Sequence, residues 1–379
     1  MNVKEEIFYL IRNEIRKQPL PFNTEYNVKE ILFVSKRHDI AHLVSDALLK
    51  SGIVSDNEKV TRFLAEERKF AVYRETQMSY AFEKISGILA ENGIDYIPLK
   101  GIVMRGLYPE PWMRTSCDLD ILIREEDVKK ATKALIDGGL TTDGKKNYHD
   151  IHFYYGQVHL ELHFSICEHN KQLDKGLSQV WDYSKKVTDF EYREIPEYYA
   201  FHHVAHMAYH LLSGGCGVRP FIDLWLLKEK NYYDEEKLFP LLEQCALVGF
   251  YRAACRLSEI WMNGGEYDDL TAKMEEYILS GGVYGSECNA NSVGAASCKG
   301  KRRYLLKIAF PPYETMCLIY PSLKKHKILL PFCYVRRVFA KVFGKDRKLV
   351  KKKIRGTISQ SEDKIALVSD LLKDLDLKK

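Results

Sequence analysis

Along residues 1–92 apolar positions recur at spacings of three and four, as in Ile7, Leu10, Ile11 and Ile15, and again in Ala41, Val44, Ala47 and Leu48. That period gathers them on one helix face, so an N-terminal helical region is predicted. Glu58 to Ala90 contains no proline and no glycine before Gly87, which predicts one long helix or two. The pattern changes at Gly93, a residue suited to a helix C-terminus, and the run from Ile94 to Leu99 is short and extended. After a helix-like stretch from Ile102 to Leu107 and a loop with Pro109, Pro111 and Trp112, alternation returns. Cys117-Asp-Leu-Asp-Ile-Leu-Ile123 is predicted to be a strand. Glu125 to Asp137 reads as a helix with acids in its first turn. Residues 148–156 and 157–166 read as a hairpin meeting near Gly156.

Helix resumes from about Pro196, including His202 to Leu212, Arg219 to Lys228 and Glu235 to Met262. Gly281 to Gly300, rich in small residues, reads as a loop or low-order insertion, and Pro311-Pro312, Pro321 and Pro331 punctuate shorter helices. The expected class is α+β: an N-terminal helical region over 1–92, a small core over 93–190, and a C-terminal helical region over 191–379 that includes a basic segment, 324–355.

At 379 residues, 46% hydrophobic and 29% charged, the chain can bury a large core. The first eighteen residues mix Lys, Glu and Arg among apolar positions, which is neither a signal nor a transit peptide, and no uncharged apolar run is long enough to span a bilayer. Nine cysteines stand singly, with no C-x-x-C pair. They read as reduced thiols of a cytoplasmic protein and argue against zinc. The net charge of +5 is concentrated: from Lys324 to Arg355 there are thirteen Lys or Arg against one acid, Asp346. A solvated helical face accounts for this, with nucleic-acid or acidic-membrane contact as the functional readings.

On the predicted strand Asp118 and Asp120 leave the same face, with Leu119 and Ile121 on the other. At about 4 Å two carboxylates repel by roughly 1 kcal/mol in water and about 4 kcal/mol at an effective dielectric near 20. A divalent cation removes that cost. Alone, the pair also fits an exposed polar strand start. The run ending Leu99-Lys100-Gly101 passes into a helix, a turn where backbone N–H groups can approach phosphates, and Lys100 adds positive charge. Arg114 fits a polyphosphate or a surface ion pair. In His159-Leu-Glu-Leu-His163 alternation puts His159, Glu161 and His163 on one face, making Glu161 the natural third carboxylate. Three converging acids suit Mg²⁺, which is hard and prefers oxygen. His159 and His163 could contact substrate, or serve as hydrogen-bonded structural histidines. His202, His206 and His210 fall on one helical stripe, a geometry that could bind a transition metal. With no Glu in the zincin position and no nearby cysteine beyond Cys216, packing against the core is the preferred reading, with one histidine, His206, facing the substrate.

These residues, with Tyr108-Pro109, Arg114-Thr-Ser-Cys-Asp-Leu-Asp-Ile-Leu-Ile123, Arg219-Pro-Phe-Ile-Asp223 and the Pro311 to Pro331 segment, resemble the uncharacterised nucleotidyltransferase family of the polymerase-beta-like superfamily over most of the chain. The resemblance implies a minimal nucleotidyltransferase core, a short mixed sheet with flanking helices. It implies Asp118, Asp120 and Glu161 as catalytic metal ligands, with Lys100, Gly101, Arg114 and Ser116 at the nucleotide. The chain departs from the superfamily's usual Gly-Gly or Gly-Ser by placing Lys100 before a single glycine. The expected activity is transfer of a nucleoside monophosphate from an NTP, ATP leading, to a small-molecule or protein acceptor with Mg²⁺ or Mn²⁺. The runner-up is a non-catalytic nucleotide-binding module of the same fold, and a nucleic-acid-directed transferase ranks last.

Overall fold

The structure is a computed structural model and describes residues 2–19, 26–52, 57–283, 285–343 and 347–378. By internal contacts the chain forms two units, Met1–Tyr209 with Val218–Thr271, and His210–Gly217 with Ala272–Lys379. Together they make an α+β chain, as expected.

The first unit begins with helices Val3–Arg16, Val28–Arg37, Ala41–Ser51 and Glu58–Glu91 (α1 to α4). The last is one helix of 34 residues, whose buried positions Leu64, Ala71, Met78, Ala81, Ile85 and Leu89 follow helical spacing along one stripe. Gly93 lies at φ 60, in the left-handed conformation that ends the helix and lets the chain reverse. Strand Tyr96–Pro98 (β1) follows, then a five-residue helix Gly101–Arg105 (α5), strand Asp118–Ile123 (β2) and, after a 3₁₀ turn, helix Val128–Asp137 (α6). Strands Thr141–Lys146, Asp150–Tyr155 and Val158–His163 (β3 to β5) complete a five-stranded sheet ordered β1-β2-β5-β4-β3. The β2 and β5 strands run parallel, and the other pairings are antiparallel.

One sheet face is apolar. Leu119, Ile121, Ile123, Ile151, Phe153, Leu160 and Leu162 bury against Met78, Ala81, Ile85 and Leu89 of α4 and Ala131 and Leu135 of α6. Two helices on one side leave the opposite face to the polar residues of the same strands. The edge strand β3, Thr-Thr-Asp-Gly-Lys-Lys, is polar and carries a register shift between Thr142 and Lys146, so it shows no hydrophobic period to read. A short helix Asp174–Leu177 (α7) and a small hairpin, Ser184–Lys186 with Tyr192–Glu194 (β6, β7), lead into helices Pro196–Ser213, Arg219–Glu229, Glu235–Gln244 and Val248–Asn263 (α8 to α11). The stretch expected as one helix from Glu235 to Met262 is therefore two. The chain reverses at Ala246, with φ 48, where Leu247 N–H returns to the Leu242 carbonyl.

The second unit holds most of Asp269–Leu279 (α12), then Glu287–Ser297, Lys301–Ala309, Tyr313–Ile319, Leu330–Phe343, Arg347–Ile358 and Glu362–Asp374 (α13 to α18). The expectation of a loop over Gly281 to Gly300 is corrected here, because α13 occupies most of it. Ser286 caps this helix by accepting from Asn289 N–H, and buried Asn289 donates to the Tyr277 carbonyl. Gly294 lies against the Tyr304 ring, so closely that a Cβ there would sit 2.2 Å from it. Small residues let helices approach closely, and that composition resembles a loop when read without its neighbours.

In the first unit, buried Glu14 of α1 faces Lys50 and Asp46 of α3, and Asp46 also pairs with Arg68 of α4. Burial, with Asp46 beside it, pushes Glu14 up to about 7 against the pull of Lys50. The native state then keeps a proton that the unfolded chain releases near the ordinary value of 4.5. Stability should fall as pH rises between those two values. In urea titrations across that window the Glu14→Gln protein should lack this slope; an identical slope in both proteins would contradict the assignment.

Candidate active site

Strand register builds the site. Opposite Asp118 and Asp120 on β2 stand His159 and Glu161 on β5, and opposite His163, Glu161 and His159 on β4 stand Asp150, His152 and Tyr154. Paired positions share a face, so these side chains all rise from the polar side of the sheet. A single parallel pairing sets Asp118, Asp120 and Glu161 on one face. Among the described residues Asp120 and Glu161 come together with His163 as one possible ligand group, and Asp118 belongs to no such group.

The charges there are unequal. Asp120 is buried, and its Oδ1 receives His163 Nε2 at 3.0 Å and Lys100 Nζ at 3.6 Å. Burial alone would raise its carboxyl pKa, but Lys100 and His163 overcome this and hold it well below the usual range. His163 also lies 3.5 Å from Glu161 Oε2, and despite burial these two acids push its pKa up to about 9. Burial, then the neighbouring Asp120 and Glu161, push Asp118 up to about 6. Negative charge is therefore only partly balanced by Lys100 and His163. Asp120, Glu161 and His163 bring one ligand atom each within 4.8 Å of one another, as do His152, His159 and Glu161, and His149, Asp150 and His163. The surplus of carboxylate oxygens fits a hard divalent cation, with His163 bracing Asp120 from behind.

Lys100 precedes α5 with φ 42 and ψ −107, a backbone region that favours glycine. Its carbonyl accepts hydrogen bonds from Tyr199 Oη and Met104 N–H, and Leu99 N–H donates to the Asp120 carbonyl, which together hold the turn. A Cβ on Gly101 would meet Ser116 at an ordinary 3.5 Å. The positive φ falls on the lysine, not on the glycine.

The loop before β2 is clamped from several helices. Arg114 places its guanidinium fork on buried Asp223 of α9, with Nε and Nη2 contacts of 2.9 Å, and Tyr108 Oη donates to the same carboxylate at 2.7 Å. Thr115 donates to Asp39, which Arg219 also contacts at 2.6 Å. Arg105 donates to Ser116 Oγ, and Ser116 Oγ donates to the Asp118 carbonyl. Arg114 and Ser116 thus lie directly behind Asp118, engaged with protein partners. His159 meets His152 at 3.0 Å and stacks on Tyr154. His206 Nδ1 lies 3.7 Å from Glu168, which lines a small cavity with Lys100, His149, His163 and His202. His202 and His203 are engaged by Glu194 and the Pro220 carbonyl.

Sequence reasoning did not single out Asp39, Arg105, Asp150, His152 or Glu168, and it noted Asp223 only within a motif. Asp223 had a signal: one acid inside Phe221-Ile-Asp-Leu-Trp-Leu-Leu227 must be buried and paired.

A family model described as uncharacterised nucleotidyltransferase matches residues 24–263. The chain belongs to that family. No curated protein and no solved structure matches it. The matched span of this nucleotidyltransferase contains the whole sheet, the Lys100 turn and Asp223, and membership supports nucleoside monophosphate transfer from an NTP as its general role.

Removing Asp223 strands the buried Arg114 charge, so Asp223→Ala should lower unfolding free energy by roughly 3–5 kcal/mol in urea titrations. A loss below about 1 kcal/mol would show that the clamp carries little. Lys100→Gly should be more stable than Lys100→Ala by about 1 kcal/mol, since both lack the ammonium but only glycine relieves the backbone. Equal stability of the two variants would remove the strain.

Proposed function

We propose that this nucleotidyltransferase moves a nucleoside monophosphate from an NTP, with ATP the leading donor, to a hydroxyl of a small-molecule or protein acceptor. The supporting observation is the in-register pairing that sets Glu161 opposite Asp120, one step from Asp118. Asp118 and Asp120 would hold the nucleotide's Mg²⁺ or Mn²⁺, and Asp120 with Glu161 a second ion. When bound, such ions neutralise phosphate charge and lower the pKa of an oxygen nucleophile. Lys100, at the turn beside Asp120, would counter the triphosphate charge, with Gly101 opening the short helix that follows it. Arg114 and Ser116 would act from behind, holding Asp118 in place through Asp223 and Arg105. His159, on the polar face, and His206, on α8 beside Glu168, are candidates for acceptor contact, while His163 braces Asp120.

In the reaction the acceptor oxygen bonds to the α-phosphorus as the bond to pyrophosphate breaks, and the acceptor's proton leaves to the carboxylate set. Most of the rate would come from positioning and charge stabilisation. All nine cysteines are free thiols, and among the described residues no helix is long and apolar enough to cross a membrane. We place the activity in the cytoplasm, where NTP and Mg²⁺ are supplied.

Lys100 and His163 already offset Asp120 without a cation, and this favours a second function, nucleotide binding without turnover. One experiment separates the two. The protein is incubated with α-labelled ATP, GTP, CTP or UTP, Mg²⁺ and cell extract, with folded Asp118→Ala and Asp120→Ala proteins as controls. Transfer requires labelled product and pyrophosphate from the wild type, reduced at least a hundredfold in both variants. Tight NTP binding with no pyrophosphate released supports the binding module. Equal product from all three proteins contradicts the site.

A further inference from the structure

In the second unit, the described residues between Lys324 and Arg355 include several of its most exposed apolar side chains beside exposed cations. Helix α16 is apolar on two sides. Leu330, Cys333 and Tyr334 pack inward on Met316, Cys317 and Leu323. At about 100° per residue, Phe332, Val335, Phe339 and Phe343 form a different stripe. They are 73%, 58%, 60% and 72% exposed, and the Phe339 and Phe343 rings stack on each other. Ile328, 84% exposed, precedes the helix.

Cations flank the stripe. Lys324, Lys325 and Lys327 stand exposed before the helix, Arg336 borders the stripe, and Arg347, Lys348, Lys351 and Lys352 are exposed on α17. Lys352 pairs with Glu287 at 2.7 Å, Lys327 lies over the Tyr313 ring and Arg336 over the Tyr320 ring. Such a stripe is costly in water, and thirteen cations against one acid select a negatively charged cover. Phe332, Phe339 and Phe343 offer ring faces on which bases could stack, but Phe339 and Phe343 already stack on each other, and the aliphatic Ile328 and Val335 extend the stripe with side chains that suit acyl chains rather than bases. A cover that is anionic at its rim and apolar beneath is a lipid interface.

We propose that α16 and its basic flanks dock on an anionic lipid bilayer. The helix lies in the interfacial plane with Phe332, Val335, Phe339 and Phe343 among the upper acyl chains and the lysines against headgroup phosphates. Fourteen residues span only about 21 Å, too short to cross a hydrocarbon core of about 30 Å. The helix lies on the membrane and does not pass through it.

The test uses the full chain and sedimentation with vesicles of phosphatidylcholine alone or mixed with phosphatidylglycerol. The protein should pellet with the anionic vesicles at least tenfold more tightly than with neutral ones, and salt should weaken the binding. Phe332→Ser/Phe339→Ser and Lys324→Glu/Lys325→Glu, which change exposed side chains and should keep the wild-type circular dichroism, should each weaken binding about tenfold or more. Asp118→Ala should bind vesicles like the wild type, so this result stands or falls apart from the transfer reaction. Equal or absent pelleting with the two vesicle types overturns the proposal. So does binding of single-stranded RNA that the serine substitutions leave unchanged, or a dimer in light scattering that the same substitutions dissolve.

Discussion

The parallel pairing of β2 with β5 imposes the constraint on which the rest of the first unit depends: it brings Asp118, Asp120 and Glu161 onto one side of two adjacent strands. Like charges about 4 Å apart repel by about 1 to 4 kcal/mol, depending on how far water is excluded, and Asp120 and Glu161 bring ligand atoms within 4.8 Å of each other. The chain offsets part of this with Lys100 and His163, both directed at Asp120. Asp118 is left with its pKa raised by burial and by its acidic neighbours. A site whose charge balance is completed by a bound cation stays poised for one, and a polyphosphate carrying that cation arrives with its own charge largely neutralised.

The scaffold around this pairing works by preventing relaxation. On the apolar side, α4 and α6 seal the sheet, so β2 cannot turn its acids inward. On the N-terminal side, the loop before Asp118 is fixed by Asp223, Asp39, Arg219 and Arg105, drawn from separate stretches of the chain. Buried charge pairs of this kind are weak sources of net stability but expensive to break. Here they hold the start of a strand against the repulsion of its own side chains. The turn at Lys100 belongs to the same scheme, since a lysine in glycine-favouring backbone persists only where neighbours hold it, and its ammonium then lies beside Asp120.

Much of this was legible in the sequence because it depends on local period. Alternation fixed the shared face of Asp118 and Asp120 and of His159, Glu161 and His163, and a glycine between two aromatic runs fixed the hairpin that returns β5. The parallel neighbour of β2 is a tertiary fact that alternation does not encode, so the pairing of Asp120 with Glu161 could only be expected. Polar β3 and the small-residue helix α13 were missed because neither shows a hydrophobic period: one is an edge strand, and the other packs through close approach. For Arg114 the sequence leaves a polyphosphate contact and a surface ion pair both open, because its acidic partner, buried Asp223 on α9, lies far away in sequence.

Manganese binding followed by electron paramagnetic resonance tests the charge argument most directly, since the ion reports on its own ligands whatever the acceptor is. The wild-type protein is predicted to take up Mn²⁺ and to gain thermal stability as it does so, by mass action. Asp120→Asn and Glu161→Gln should lose most of that binding while keeping their fold. Undiminished Mn²⁺ uptake in both variants would contradict a cation site built on the paired strands.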